Sequence, residues 1–127
     1  MPKMTGAKYL AGTLKAYGVT HVFFVPATLR RSLAEMDLLG IKRVVTHGEK
    51  AAAYMADGYA RASNKVGVCM AQSVGAVNLA AGLQDAYLGL SPVLALTGHK
   101  SNLQQNRNAY QEVDHSRPFA STTKFSA

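Results

Sequence analysis

Glu49 opens a segment in which Ala52, Ala53, Ala56 and Ala60 recur at helical spacing. A stripe of small residues lets such a helix approach a neighbouring backbone closely, so a carboxyl in its first turn would be carried into a tightly packed, dry interface. Desolvation favours the neutral acid, whereas the helix N-terminus favours the anion. The two effects partly cancel and leave a carboxyl suited to sharing a proton with a bound base. The plainer alternative is a stabilising first-turn charge, and spacing alone favours it.

The other reactive side chains offer less. Cys69 lies inside the apolar run Val66 to Ala71 and reads as a small buried hydrophobe. His21, His47, His99 and His115 have no metal-ligand spacing and no partner cysteines, so they read as structural or surface residues. Ser73 stands in no Gly-x-Ser-x-Gly elbow. The stretch Ser73 to Asn78 contains one glycine, which excludes a dinucleotide fingerprint. In Gly98-His99-Lys100-Ser101 a histidine separates the glycine from the lysine, and the earlier glycine of a phosphate loop is missing.

The positions that matter depend on the elements holding them. Ala7, Leu10, Ala11 and Leu14 predict a first helix within residues 5–17, closed by Gly18. Strands are predicted over Thr20–Val25, Ile41–Thr46, Val66–Ala71 and Val93–Leu96. Helices fall between them at Leu29–Leu39, Glu49–Ala62 and Ala76–Leu88, and the polar stretch after Gly98 predicts a functional loop or short irregular helix. This alternation implies an α/β fold, doubly wound, with a parallel sheet covered by helices on both faces. Ligands then belong at the carboxyl ends of the strands: Val25 to Thr28, Thr46 to Glu49, Ala71 to Gly75, and Leu96 to Gly98.

Composition narrows the classes further. A chain of 127 residues, 48% hydrophobic and 17% charged, is one folded domain and short for a complete metabolic enzyme. The net charge of +7 comes from dispersed Lys and Arg without interleaved aromatics, so neither a nucleic-acid nor a membrane partner is expected. The first six residues lack an apolar export segment, and a cytoplasmic location is expected.

The run His47-Gly48-Glu49-Lys50-Ala51-Ala52-Ala53-Tyr54-Met55-Ala56-Asp57-Gly58-Tyr59-Ala60-Arg61 resembles the signature of thiamine diphosphate enzymes of the acetolactate synthase and 2-oxo acid decarboxylase type. Val25-Pro26, Gly75-Ala76-Val77-Asn78, Gly82 to Tyr87, Pro92 to Gly98 and Tyr110 to Asp114 resemble the family's neighbouring segments in the same order. The resemblance runs from about residue 5 to residue 125, and it implies that residues 1–127 are a pyrimidine-binding domain, either a fragment or a separate small subunit.

The resemblance further implies roles. Glu49 matches the glutamate that hydrogen-bonds N1′ of the aminopyrimidine and promotes its imino tautomer, the step that leads to deprotonation of the thiazolium carbon. Pro26, Ala27, Gly75 and Asn78 match cofactor-lining positions, and Thr28, Ala71, Gln72 and Gln111 match the substrate pocket. Ala27 replaces a frequent Gly, Ala71 a frequent Thr or His, and Gln72-Ser73-Val74-Gly75 a frequent Ser-Gly-Pro-Gly, all in the pocket wall. The implied activity is decarboxylation of a 2-oxo acid with carboligation, with simple decarboxylation, an oxidase branch or a noncatalytic scaffold as alternatives. The implied partners are a pyrophosphate-binding domain or subunit holding Mg²⁺ and the diphosphate, and a second copy in a homo-oligomer. Close packing of the alanine stripe marks the Glu49 helix as the expected contact.

Overall fold

A computed structural model describes residues 3–27 and 29–127. The elements run α1 (Gly6–Ala16), β1 (His21–Phe24), α2 (Arg30–Leu38), β2 (Lys42–Val45), α3 (Glu49–Ser63), β3 (Gly67–Gln72), α4 (Gly75–Leu88), β4 (Val93–Gly98) and a short α5 (Ser116–Phe119). Thr5 caps α1 by accepting from the Lys8 amide at 3.2 Å, and Gly18, at φ 77°, carries the chain out of the helix. The expected strand–helix alternation holds. The fourth strand extends two residues past its predicted end because β3 remains available to pair Thr97 and Gly98.

The four strands form a parallel sheet in the order β2-β1-β3-β4. Side chains alternate across a strand, so one set of residues faces each helical layer. Val22, Phe24, Val68 and Met70 pack with Ala11, Leu14, Leu33 and Met36 of α1 and α2. Phe23, Cys69 and Ala71 pack with Ala52, Ala53, Ala56, Leu79 and Leu83 of α3 and α4. The fold is therefore α/β with helices on both faces. Burying a side chain such as Met36, Met70 or Leu79 contributes about 1.5–3 kcal/mol each, which is what holds the two layers to the sheet.

Small residues set the α3–α4 distance. A Cβ on Gly82 would lie 2.8 Å from both the Ala53 Cβ and the Lys50 carbonyl oxygen, and one on Gly67 would run into the Ala56 carbonyl. Ala52, Ala53, Ala56 and Ala60 are at most 1% exposed. The alanine stripe therefore packs within the chain, against α4 and the sheet, and does not offer a face to a second copy. Farther along, Arg61 Nε donates to Asp57 at 2.8 Å and its Nη2 donates to the Asp85 carbonyl at 3.3 Å, tying the C-terminal half of α3 to α4. Burial pushes the Asp57 carboxyl up, but the donors beside it, Arg61 foremost and then Ser91, together with the charge of Arg61, outweigh it and leave its pKa below the ordinary value.

The strand order also fixes where a site must be. β1 leads through α2 on one face, whereas β3 leads through α4 on the other, and the two strands are neighbours. Their diverging connections open a crevice at the carboxyl ends of β1 and β3. Among the described residues, no helix is long and apolar enough to cross a membrane.

Candidate active site

The turn after β2 delivers Glu49 to that crevice. The Thr46 amide donates to the Phe24 carbonyl at 2.9 Å, which fixes the end of β2 against β1. The Thr46 hydroxyl, itself buried, donates to the Gly48 carbonyl at 3.0 Å and holds the turn that starts α3. Gly48 is the extended N-cap, and Glu49 follows as the acidic residue of the first turn. An anion there is favoured by the free amides of the helix end.

α4 meets it from the other side. β2 and β3 flank β1 in the sheet, so the helices that follow them start on either side of the β1 end. Asn78 Nδ2 donates to Glu49 Oε2 at 3.2 Å. A Cβ on Gly75 would collide with Oε1 and stand 3.0 Å from the carboxyl carbon, so the missing side chain at Gly75 is what makes room for the carboxylate. Glu49 is half-buried, and Asn78 is exposed beside it. The carboxylate is thus oriented by one amide and one absent side chain, with two helix N-termini around it.

Of the residues singled out from sequence, Glu49, Gly75 and Asn78 come together. Pro26 and Ala27 form an exposed turn at the end of β1, between the two helix starts, and Thr28 lies outside the described residues. Gln72 is half-buried as the last residue of β3, paired with Gly98. Ala71 is 1% exposed and belongs to the core beneath α3 and α4. Gln111, at φ 58°, lines a separate open hollow of ≈ 780 Å³ with His99, Gln105, Asn108 and Glu112. None of the other expected site residues lines that hollow.

One contact near the start of α4 has no sequence signal. His115 reaches back from the segment after β4 so that Nε2 donates to the Ser73 carbonyl at 3.0 Å, while Nδ1 lies 3.1 Å from the Thr97 hydroxyl. The contact with Ser73 spans 42 residues, and the path between them carries no periodicity to predict it.

Residues 4–117 match the family described as thiamine pyrophosphate enzyme, N-terminal TPP binding domain. The chain belongs to that family. It is 41% identical over 118 residues to acetolactate synthase of Arthrospira platensis, covering 88% of this chain and 20% of that protein. It is 42% identical over 115 residues to the acetolactate synthase isozyme 2 large subunit of Escherichia coli (strain K12), covering 87% and 21%. It is 40% identical over 116 residues to the probable acetolactate synthase large subunit of Methanocaldococcus jannaschii, covering 87% and 19%. The chain thus spans about a fifth of the length of these relatives. The four-stranded parallel sheet and the residues Glu49, Gly75 and Asn78 all lie within the stretch that matches the TPP-binding domain.

Proposed function

We propose that this chain forms the pyrimidine side of a thiamine diphosphate site and that Glu49 exchanges a proton with N1′ of the aminopyrimidine. The observation that carries the reading is the oriented carboxylate: Oε2 accepts from Asn78, and Oε1 lies where Gly75 has no Cβ. Such a group fits a planar heterocycle whose ring nitrogen must be gripped by one carboxylate. Family membership and the names of the relatives support the same reading.

Within it, Glu49 holds and moves the proton, Asn78 orients the carboxylate, and Gly75 keeps the space clear. Pro26 and Ala27 line the pocket at the β1 end, and Gln72 faces the substrate; Gln111, which lines the separate hollow, is given no part in it. Bound there, thiamine diphosphate would supply a carbon nucleophile and an electron sink for decarboxylation of a 2-oxo acid. Acetolactate synthase-like carboligation is the activity proposed, supported by the relatives' names. Mg²⁺ and the diphosphate are assigned to a pyrophosphate-binding domain or subunit, with the site completed between subunits of a homo-oligomer.

Exchange of the cofactor's C2 proton with deuterium tests the role of Glu49 directly. In the assembled enzyme, Glu49→Gln keeps the size of the side chain but removes the group that can give a proton to the ring nitrogen and take it back. The exchange rate should fall by about 10² to 10⁴-fold, the range for a positioned proton transfer. An unchanged rate would reduce Glu49 to a first-turn helix charge.

A further inference from the structure

We propose that His115 is a positioning residue for the Glu49 carboxylate, acting through the Ser73 turn at the start of α4; this rests on the proposed role of Glu49.

Ser73 is the joint between β3 and α4. Its φ of 45° is left-handed, a conformation that a residue with a side chain adopts at some cost and holds when its surroundings enforce it. Three hydrogen bonds do so. The Ser73 amide donates to the Gly98 carbonyl of β4 at 2.8 Å. Its carbonyl accepts from the Ala76 amide at 3.0 Å, closing the first turn of the helix. The same carbonyl accepts from His115 Nε2 at 3.0 Å. Ser73 is 6% exposed, so a lost partner would not be freely replaced by water.

A carbonyl has no proton to give, so Nε2 carries the hydrogen. In the neutral ring Nδ1 is then the acceptor, and the Thr97 hydroxyl at 3.1 Å donates to it. Thr97 belongs to β4, so the imidazole is a strut between the rigid edge of the sheet and the turn. Two residues beyond Ser73 stands Gly75, and five beyond stands Asn78, the two residues that seat the carboxylate. A shift of the turn moves both against Glu49. The line of contact runs Thr97, His115, Ser73, the first turn of α4, Glu49. The His99 ring stands nearly perpendicular to the same imidazole, with centroids 5.0 Å apart.

Two substitutions separate this role from general packing. His115→Leu removes the donor, whereas His115→Gln keeps an N–H that can reach the Ser73 carbonyl. Hydrogen exchange of the Ala76 and Val77 amides should become faster in the leucine variant and remain near the parent rate in the glutamine variant. In the assembled enzyme, C2 proton exchange should fall on the order of 10- to 10²-fold in His115→Leu, the scale of a small misplacement, and recover in His115→Gln. Thr97→Val, which keeps the shape of the side chain and guards against a folding failure at 115, should give a smaller loss of the same kind. Added to Glu49→Gln, His115→Leu should cost little further, because it acts through that carboxylate.

Unchanged amide exchange at Ala76 and Val77 in both His115→Leu and Thr97→Val would overturn the proposal, as would full additivity with Glu49→Gln. If Glu49→Gln leaves C2 exchange unaltered while the amides at Ala76 and Val77 still loosen, the strut stands and the proposed role of Glu49 fails.

Discussion

The side-chain amide of Asn78 donates to Oε2 of Glu49 at 3.2 Å, joining the first turns of α4 and α3 across the crevice. Both residues lie at the surface side of the helix pair, so this bond contributes little to stability. It determines which way the carboxylate points. In Asn78→Ala the stability change should stay within about 0.5 kcal/mol, as for most surface substitutions. Cofactor C2 exchange should nevertheless fall on the order of 10-fold, because the carboxylate gains rotamers that face away from the ring nitrogen. Urea unfolding and deuterium exchange, measured on one preparation, check the two halves of this expectation.

Gly75 and Gly82 predict opposite outcomes for one chemical change. In Gly75→Ala the new methyl meets the carboxylate end of Glu49, a flexible side chain that can swing away. Stability should hold or rise, by up to about 1 kcal/mol, since alanine is the better helix former. The price is the seat of the carboxylate, so C2 exchange should drop. In Gly82→Ala the methyl meets the Lys50 backbone carbonyl and Ala53 at 2.8 Å each, and neither can yield without moving α3. That variant should lose about 1–3 kcal/mol, the usual cost of overpacking. Equal stability losses in the two variants would contradict the contact geometry.

Cys69 sits wholly inside the core, and burial pushes its thiol up to about 12. The thiolate is the reactive form, so native protein should resist alkylation at neutral pH and become labelled on unfolding. Mass spectrometry after a timed iodoacetamide pulse, with and without urea, checks this. Rapid labelling under native conditions would mean that the face of β3 beneath α3 and α4 opens readily.

The elements that repeat locally were legible in the sequence. The order of helices and strands follows from apolar residues at helical spacing that give way to short continuous runs of β-branched and aromatic residues, as in β1 and β3, which are buried on both faces. The place of Glu49 at the head of α3, just past the end of β2, is legible in the same way. Spacing alone favours a first-turn charge there, and its proposed role comes from the resemblance of the contiguous segment His47 to Arg61 to a family signature. The alanine stripe correctly signalled a close approach, but sequence could not say to what. The partner is α4, whose Gly75, Gly82 and Gly89 recur every seven residues and face Glu49, Lys50 with Ala53, and Arg61. His115 was not legible at all. Its position depends on the path of an irregular segment between β4 and α5, where no repeating pattern ties residue to place.

His115 also sets an acid limit for the fold. Burial of the ring disfavours its charged form, and the nearby charge of His99 acts in the same direction. The Ser73 carbonyl and the Asp114 carboxylate favour the cation but do not reverse the shift, so the folded-state pKa lies below the ordinary 6.5. Unfolding returns the ring to about 6.5, and between the two values the unfolded chain binds more protons than the folded one. Stability from this group is therefore fully present above pH about 6.5 and is lost as the pH falls through the folded value. Glu112 and Asp114 are both held below the usual carboxylate range by hydrogen bonds, so their own losses come at lower pH. The urea midpoint should consequently fall between pH 7 and about 5, and the fall should shrink in His115→Gln, which retains the bond to Ser73 without a titrating ring. A midpoint that drops equally in the parent and in His115→Gln would place the titrating group elsewhere.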